Sequence, residues 1–73
     1  MSELDLHGVK HNEVKQLLDS FLWDNMKKNK KEVRVITGFS EQMKSIVKDL
    51  TNEYSMTCFE DYKNNGVLVI KLT

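Results

Sequence analysis

Apolar residues recur along the chain at two different spacings, and the change between them marks the predicted elements. Leu4 and Leu6 alternate with polar residues in segment 3–7, which predicts a short strand. A helix is predicted over residues 12–28, with Asn12 as its N-cap and Glu13 in its first turn. Its apolar stripe, spaced by three and four residues, is Val14, Leu17, Leu18, Phe21 and Leu22, and Trp23 is expected at the edge of that stripe.

The second half of the chain repeats this order and then adds two strands. Residues 33–37 are rich in β-branched side chains and predict a strand, and Ser40 is expected to cap a helix with Glu41 in its first turn. A weaker strand is predicted over residues 56–59, and the Asn65-Gly66 pair favours a hairpin turn. The nearly continuous apolar segment 66–72 predicts a central strand that is buried on both faces. The stripe of the second helix is Met43, Ile46, Val47, Leu50 and Tyr54.

The predicted order β-α-β-α-β-β defines an α/β fold. A strand, a helix and a second strand form a βαβ unit with parallel strands. The closing hairpin makes the four-stranded sheet mixed. At 73 residues, the whole segment 1–73 is expected to be one domain.

The amino-acid composition limits the kinds of function that this protein can have. The 11 basic and 11 acidic residues cancel, so nucleic-acid binding must come from local charge placement rather than from overall charge. The single cysteine, Cys58, cannot form an internal disulfide, which is typical of a cytoplasmic protein. No apolar segment is long enough to cross a membrane, and the N-terminus does not resemble a signal peptide.

The topology predicts that polar residues from three connections meet at the carboxyl end of the parallel strands. Ligands commonly bind at this end of α/β sheets, and two helix N-termini there favour phosphate. The lysine-rich segment 27–31 is expected at the opposite end, where it complements the helix dipole, although it also resembles a nucleic-acid patch. The candidate catalytic residues are Asp5 and His7. The candidate residues for binding nucleic acid are Gly8, Lys10, His11, Thr37, Gly38, Phe39, Ser40, Lys44, Tyr62 and Lys63.

Three segments resemble signatures of the Smr (small MutS-related) domain family. Leu4-Asp5-Leu6-His7-Gly8 resembles the motif that opens these domains, and Val35-Ile36-Thr37-Gly38 resembles their second motif. Segment 66–72 resembles their closing strand. The resemblance covers essentially the whole chain and implies a two-layer α/β sandwich like the C-terminal domain of translation initiation factor 3. It also implies nucleic acid as the ligand and, often, endonuclease activity.

The sequence departs from the family in its second motif. Smr domains usually continue Thr-Gly with a basic residue and another glycine, where this chain has Phe39 and Ser40. The change removes a phosphate contact and a flexible backbone position. Lys44, one turn into the helix, is expected to supply the missing charge.

The leading hypothesis is an endonuclease, more suited to RNA than to DNA. His7 is the natural acid/base because imidazole titrates near neutral pH, and Asp5 is predicted to orient it or to hold a divalent cation such as Mg²⁺. No dedicated zinc site is expected. Phe39 and Tyr62 are candidates to stack on bases. The alternatives are a nucleic-acid-binding module without catalysis, and a module that binds a protein partner or a second copy of itself.

Overall fold

Two helices pack on one face of a four-stranded sheet in the computed structural model, which describes residues 2–73. The strand order is β1-β2-β4-β3, with β1 parallel to β2 and β4 antiparallel to both of its neighbours. The predicted α/β class, element order and mixed sheet are therefore confirmed. The elements are β1 (Glu3–Asp5), α1 (His11–Lys27), β2 (Glu32–Ile36), α2 (Glu41–Glu53), β3 (Thr57–Asp61) and β4 (Asn64–Lys71).

The hydrophobic core lies between the helices and one face of the sheet. Every second residue of β2 and β4 points into it, as strand geometry requires. The stripe of α1 is narrower than predicted, since Leu17 is 42% exposed, and Trp23 is 60% exposed rather than packed at the edge. The buried core residues are Leu6, Val14, Leu18, Leu22, Val33, Val35, Met43, Val47, Leu68 and Ile70.

β4 lies between β2 and β3, and both of its faces are buried, as the continuous apolar segment predicted. Leu68 and Ile70 face the helices, whereas Val67 and Val69 are buried on the opposite face. On that opposite face, Arg34 Nη1 lies 2.8 Å from Asp61 Oδ2. This ion pair joins β2 to the end of β3 across β4.

The first helix begins one residue earlier than predicted. Its N-cap is Lys10, whose extended backbone precedes His11, and no side chain caps the helix. Asn12 therefore lies inside the first turn and the predicted Asn12 cap is wrong. The cause is the short connection after β1, in which the Val9 N–H donates to the Leu6 carbonyl at 3.0 Å and turns the chain into the helix early.

The closing hairpin turns at Tyr62-Lys63 and not at the predicted Asn65-Gly66 pair. The Asp61 carboxylate accepts the Lys63 N–H at 2.9 Å and closes this two-residue turn. Gly66 instead lies within β4, where its carbonyl accepts the N–H groups of Thr37 and Gly38, the two residues that follow β2. Pairing with a distant strand has overridden the local turn preference. By the same shift β3 is Thr57–Asp61 rather than residues 56–59. At the other end of the chain, β1 stops at Asp5, two residues before the predicted end of segment 3–7.

A polar cluster joins the two helices away from the carboxyl ends of the parallel strands. Asp19 on α1 accepts hydrogen bonds from Lys15, at 2.7 Å, and from the Tyr54 hydroxyl. Burial acts to raise the pKa of Asp19, but these two hydrogen bonds outweigh it and hold that pKa below its usual value. The hydrogen bond to Asp19, and then burial, raise the pKa of Tyr54.

Replacing Tyr54 with phenylalanine is expected to raise the pKa of Asp19, because one of its two donors is removed. A carboxyl whose pKa is lowered by folding stabilises the fold above its ordinary pKa. That contribution is lost as the pH falls through the lowered value, so the variant should lose less stability on acidification. Carboxyl-carbon NMR titration of Asp19 measures the shift. Tyr62→Phe, at the exposed hairpin turn, is the control, and equal Asp19 titrations in both variants would contradict the prediction.

Candidate functional site at the His7 end of the sheet

The connection after β1 is shaped by the Asp5 carboxylate. Its Oδ1 accepts the main-chain N–H of His7 at 2.9 Å, so it holds the loop rather than the imidazole. Gly8 has a φ of 80° in the left-handed region, which lets the chain reverse beside the exposed His7. We call this region, where the carboxyl ends of β1, β2 and β3 meet, the His7 end of the sheet.

The connection after β2 is fixed to the start of β4. The Gly66 carbonyl accepts the main-chain N–H groups of Thr37 and Gly38 at 2.9 and 3.1 Å. The Thr37 hydroxyl lies 2.9 Å from the Gly38 carbonyl and 3.3 Å from that of Gly66, and Thr37 is only 2% exposed. Thr37 is therefore buried inside the loop, and its N–H and hydroxyl groups are hydrogen-bonded within the protein.

The two connections touch where the His7 ring lies against Gly38. A Cβ atom added at Gly38 would lie 2.8 Å from His7 Cδ2 and 3.8 Å from Nε2, so the His7 ring would have to move to admit a side chain there. Gly38 has a φ of 66°, which independently favours glycine. A Cβ atom on Gly66 would lie 3.4 Å from the Gly38 Cα. Gly38 is thus enclosed by His7 on one side and by Gly66 on the other.

Sequence reasoning assigned no site role to Gly66. Its position at the head of the closing strand was the available signal, but its hydrogen bonds to the second loop depend on how β4 pairs with β2.

The exposed aromatic and basic residues at the His7 end surround this contact. Phe39 is 79% exposed and Tyr62 is 88% exposed, as their candidacy for base stacking required. Lys63 Nζ lies 5.5 Å from the centre of the Tyr62 ring. Lys10 and His11 are exposed at the start of α1.

Lys44 differs from the other candidates because its side chain is only 5% exposed. Its ammonium lies 3.8 Å from carboxylate oxygens of Glu41 and Glu60. A buried ammonium needs such partners, since removing its water is costly. The Lys44 side chain is therefore covered and its ammonium pairs with two exposed carboxylates, so it is not free on the surface beside His7.

Ser40 serves as the cap of α2 that the sequence predicted. Its Oγ accepts the main-chain N–H of Met43 at 3.1 Å, so this helix N-terminus has one fewer free donor.

Replacing Ser40 with alanine is expected to lower the free energy of unfolding by about 0.5–2 kcal/mol, since the Met43 N–H loses its acceptor. Urea denaturation measures the change. Ser45→Ala, at an exposed position inside the same helix, is the matched control and should cost less. Equal losses for the two variants would show that the cap contributes nothing.

Within residues 2–73, no group of three or more His, Cys, Asp or Glu side chains could hold a metal ion. Nor does this part of the chain contain a helix with the length and apolar character to cross a membrane.

Comparison with known proteins identifies the family. A model of the Smr domain matches residues 4–73. The chain belongs to the Smr family. This family has nucleic-acid-binding and nuclease roles. The fold of this Smr domain is similar to that of the Smr domain of Thermus thermophilus MutS2, with a TM-score of 0.88 at 16% sequence identity. The alignment covers 97% of this chain and 96% of that one. No curated protein gave a match.

The three sequence motifs of this Smr domain lie far apart along the chain and adjoin in the fold. His7 of the first motif lies against Gly38 of the second, and Gly38 lies against Gly66 of the closing strand. Phe39 and Ser40, which replace the usual basic residue and glycine, follow directly on this contact. The departure from the family pattern therefore falls beside the exposed imidazole.

Proposed function

We propose that this Smr domain binds nucleic acid at the His7 end of the sheet and cleaves the phosphodiester backbone there, with RNA preferred over DNA. The observation that carries the proposal is the exposed His7 ring held against Gly38. An acid/base side chain carried on a loop that main-chain hydrogen bonds hold, and open to a large ligand, is what acid/base catalysis on a polymer needs.

Binding rests on the surroundings of that ring. Within residues 2–73, neither Lys10 nor Lys63 forms an ion pair with a carboxylate, so both ammonium groups are free to contact phosphate. Phe39 and Tyr62 offer exposed rings on which unpaired bases can stack, worth about 1–3 kcal/mol per base. Stacking on side chains requires unstacked bases, so these residues favour a single-stranded or looped target.

Cleavage is assigned to His7, with Asp5 as a positioning residue. RNA carries its own nucleophile, because the 2′-hydroxyl can attack the adjacent phosphorus and displace the 5′-oxygen. The neutral His7 imidazole accepts the proton of the 2′-hydroxyl. The imidazolium formed in this way then donates a proton to the departing 5′-oxygen. The products are a 2′,3′-cyclic phosphate and a 5′-hydroxyl. Asp5 acts through the main-chain N–H of His7, which fixes the loop that carries the ring.

A second candidate function is nucleic-acid binding without catalysis. It is favoured by the second loop, where the Thr37 and Gly38 N–H groups donate to Gly66 and are not free to stabilise a phosphate. Lys44, the expected substitute for the missing basic residue, is also paired with the carboxylates of Glu41 and Glu60. A third candidate function is protein binding, which is supported by the sheet face that carries no helix.

A cleavage assay tests the proposal. The protein is incubated with end-labelled single-stranded RNA, structured RNA and supercoiled DNA, each with Mg²⁺ and with EDTA. We expect cleavage of the single-stranded or looped RNA, with products that end in a cyclic phosphate. Gel shift without cleavage would establish the binding module instead. If none of the three nucleic acids is bound or cut, the proposal fails and the open sheet face becomes the surface to study.

A further inference from the structure

The free basic side chains of this domain are grouped at two places. Lys15, Arg34, Lys44, Lys48 and Lys71 each lie within 4.0 Å of a carboxylate oxygen. The remaining basic residues of segment 2–73 form no such pair. Two of them, Lys10 and Lys63, belong to the His7 end. The others follow one another at the far end of α1, and we call Lys27, Lys28, Lys30 and Lys31 the lysine cluster.

The backbone that carries the lysine cluster is fixed. The Asn29 N–H donates to the Met26 carbonyl and the Lys30 N–H to the Asn25 carbonyl, both at 3.0 Å. Asn29 has a φ of 59°, which ends the helix in a left-handed turn. Four like charges are therefore held on a short, ordered segment, where they repel one another unless a counter-charge is bound.

Nearby carboxylates do not neutralise the lysine cluster. Glu32 follows it directly, but its Oε1 lies 2.6 Å from Lys71 Nζ. Asp24 lies one turn earlier on α1 and forms no ion pair within residues 2–73. The helix dipole explains only a basic residue in the last turn, which is Lys27, because its effect fades within that turn. Lys30 and Lys31 lie beyond the last turn, so the helix dipole does not explain their charges.

An exposed tryptophan adjoins the lysine cluster. Trp23 is 60% exposed, and Lys27 Nζ lies 5.5 Å from the centre of its ring. Free ammonium groups beside an exposed aromatic ring are the combination that binds phosphate and stacks on bases.

The outer face of α1 connects the two groups of free lysines. Asn12, Gln16 and Ser20 recur every four residues, are all exposed and carry no charge. They form a polar strip that Trp23 and Lys27 continue, with the exposed Asp24 at its edge. Since α1 has 17 residues, its two ends lie roughly 25 Å apart.

We propose that a nucleic-acid strand bound at the His7 end continues along this strip and places its phosphates on the lysine cluster, with Trp23 stacking on a base. The inference rests on the proposed function, because it extends the same ligand. The affinity of the domain then depends on the length of the strand, because a ligand long enough to reach both ends gains contacts that a short one cannot make.

The test compares a variant that removes the four positive charges of the lysine cluster with a control variant that retains them. Lys27, Lys28, Lys30 and Lys31 are all changed to glutamine in one variant and to arginine in the other. Binding is measured with single-stranded 2′-O-methyl oligouridine, which lacks the hydroxyl needed for self-cleavage, at lengths of about 4 and about 20 nucleotides. The salt dependence of affinity is recorded for each, and circular dichroism checks that both variants are folded.

The glutamine variant is expected to bind the long oligomer at least tenfold more weakly. Its slope of log affinity against log salt should fall by about 3, since each phosphate contact on a single strand contributes about 0.7. The arginine variant should bind like the parent, and NMR titration with the short oligomer should be the same for all three proteins. Unchanged affinity and slope for the glutamine variant would overturn the inference, as would an equal loss for both lengths. If the parent binds neither oligomer, the proposed function itself fails.

Discussion

Replacing His7 with alanine is expected to lower the rate of RNA cleavage by about 10²–10⁴-fold, the usual contribution of a general acid or base. RNA affinity should change far less, because the phosphate and base contacts are assigned to Lys10, Lys63, Phe39 and Tyr62. Stability should also be retained, since the ring is exposed and the loop is held by the main-chain N–H of His7, which alanine keeps. Single-turnover cleavage at saturating protein separates the chemical step from binding.

His11→Ala is the matched control for this variant. His11 is the other histidine, lies at the start of α1, and is assigned to binding rather than to proton transfer. Its replacement should alter affinity at most and leave the saturated rate within a few-fold of the parent. If His7→Ala cleaves as fast as the parent, or if His11→Ala loses as much, His7 is not the acid/base.

The second large effect is expected from Gly38→Ala, which should reduce cleavage by about 10²-fold through displacement of His7. The added Cβ would lie 2.8 Å from the ring, so the imidazole must move, and a misplacement of about 1 Å at a catalytic group has effects of this size. The left-handed φ adds about 1–2 kcal/mol of backbone strain. Cleavage rate and urea denaturation are measured together.

The variant Gly8→Ala separates the effect of the His7–Gly38 contact from the effect of backbone strain. Gly8 also has a left-handed φ, but a Cβ atom there would have no neighbour within 4 Å. The two alanine variants should therefore lose similar stability, while Gly38→Ala loses much more activity. Equal losses of activity would assign the effect to backbone strain and not to the His7–Gly38 contact.

The sequence alone was enough to predict the elements and their order. Helical spacing of apolar residues located both helices. An alternating segment, a β-branched segment, a weaker segment and a continuous apolar segment located the four strands, because these patterns follow from local backbone geometry. The cap at Ser40 was equally local, since it needs only a hydroxyl three residues before a free N–H. The continuous apolar character of β4 correctly predicted its central position, because a strand flanked by others on both sides has little exposed surface, even on the sheet face without helices.

Tertiary structure decided the features that depend on segments far apart in the chain. The hairpin turns at Tyr62-Lys63 and not at Asn65-Gly66, because Gly66 is drawn into β4 and its carbonyl accepts the N–H groups of Thr37 and Gly38, the residues that follow β2. Lys44 lies among carboxylates because β3 brings Glu60 beside α2. The contact of His7 with Gly38 depends on the parallel register of β1 and β2, which no local pattern specifies. Sequence thus determined which residues reach the His7 end, and the pairing of the strands determined which of them touch.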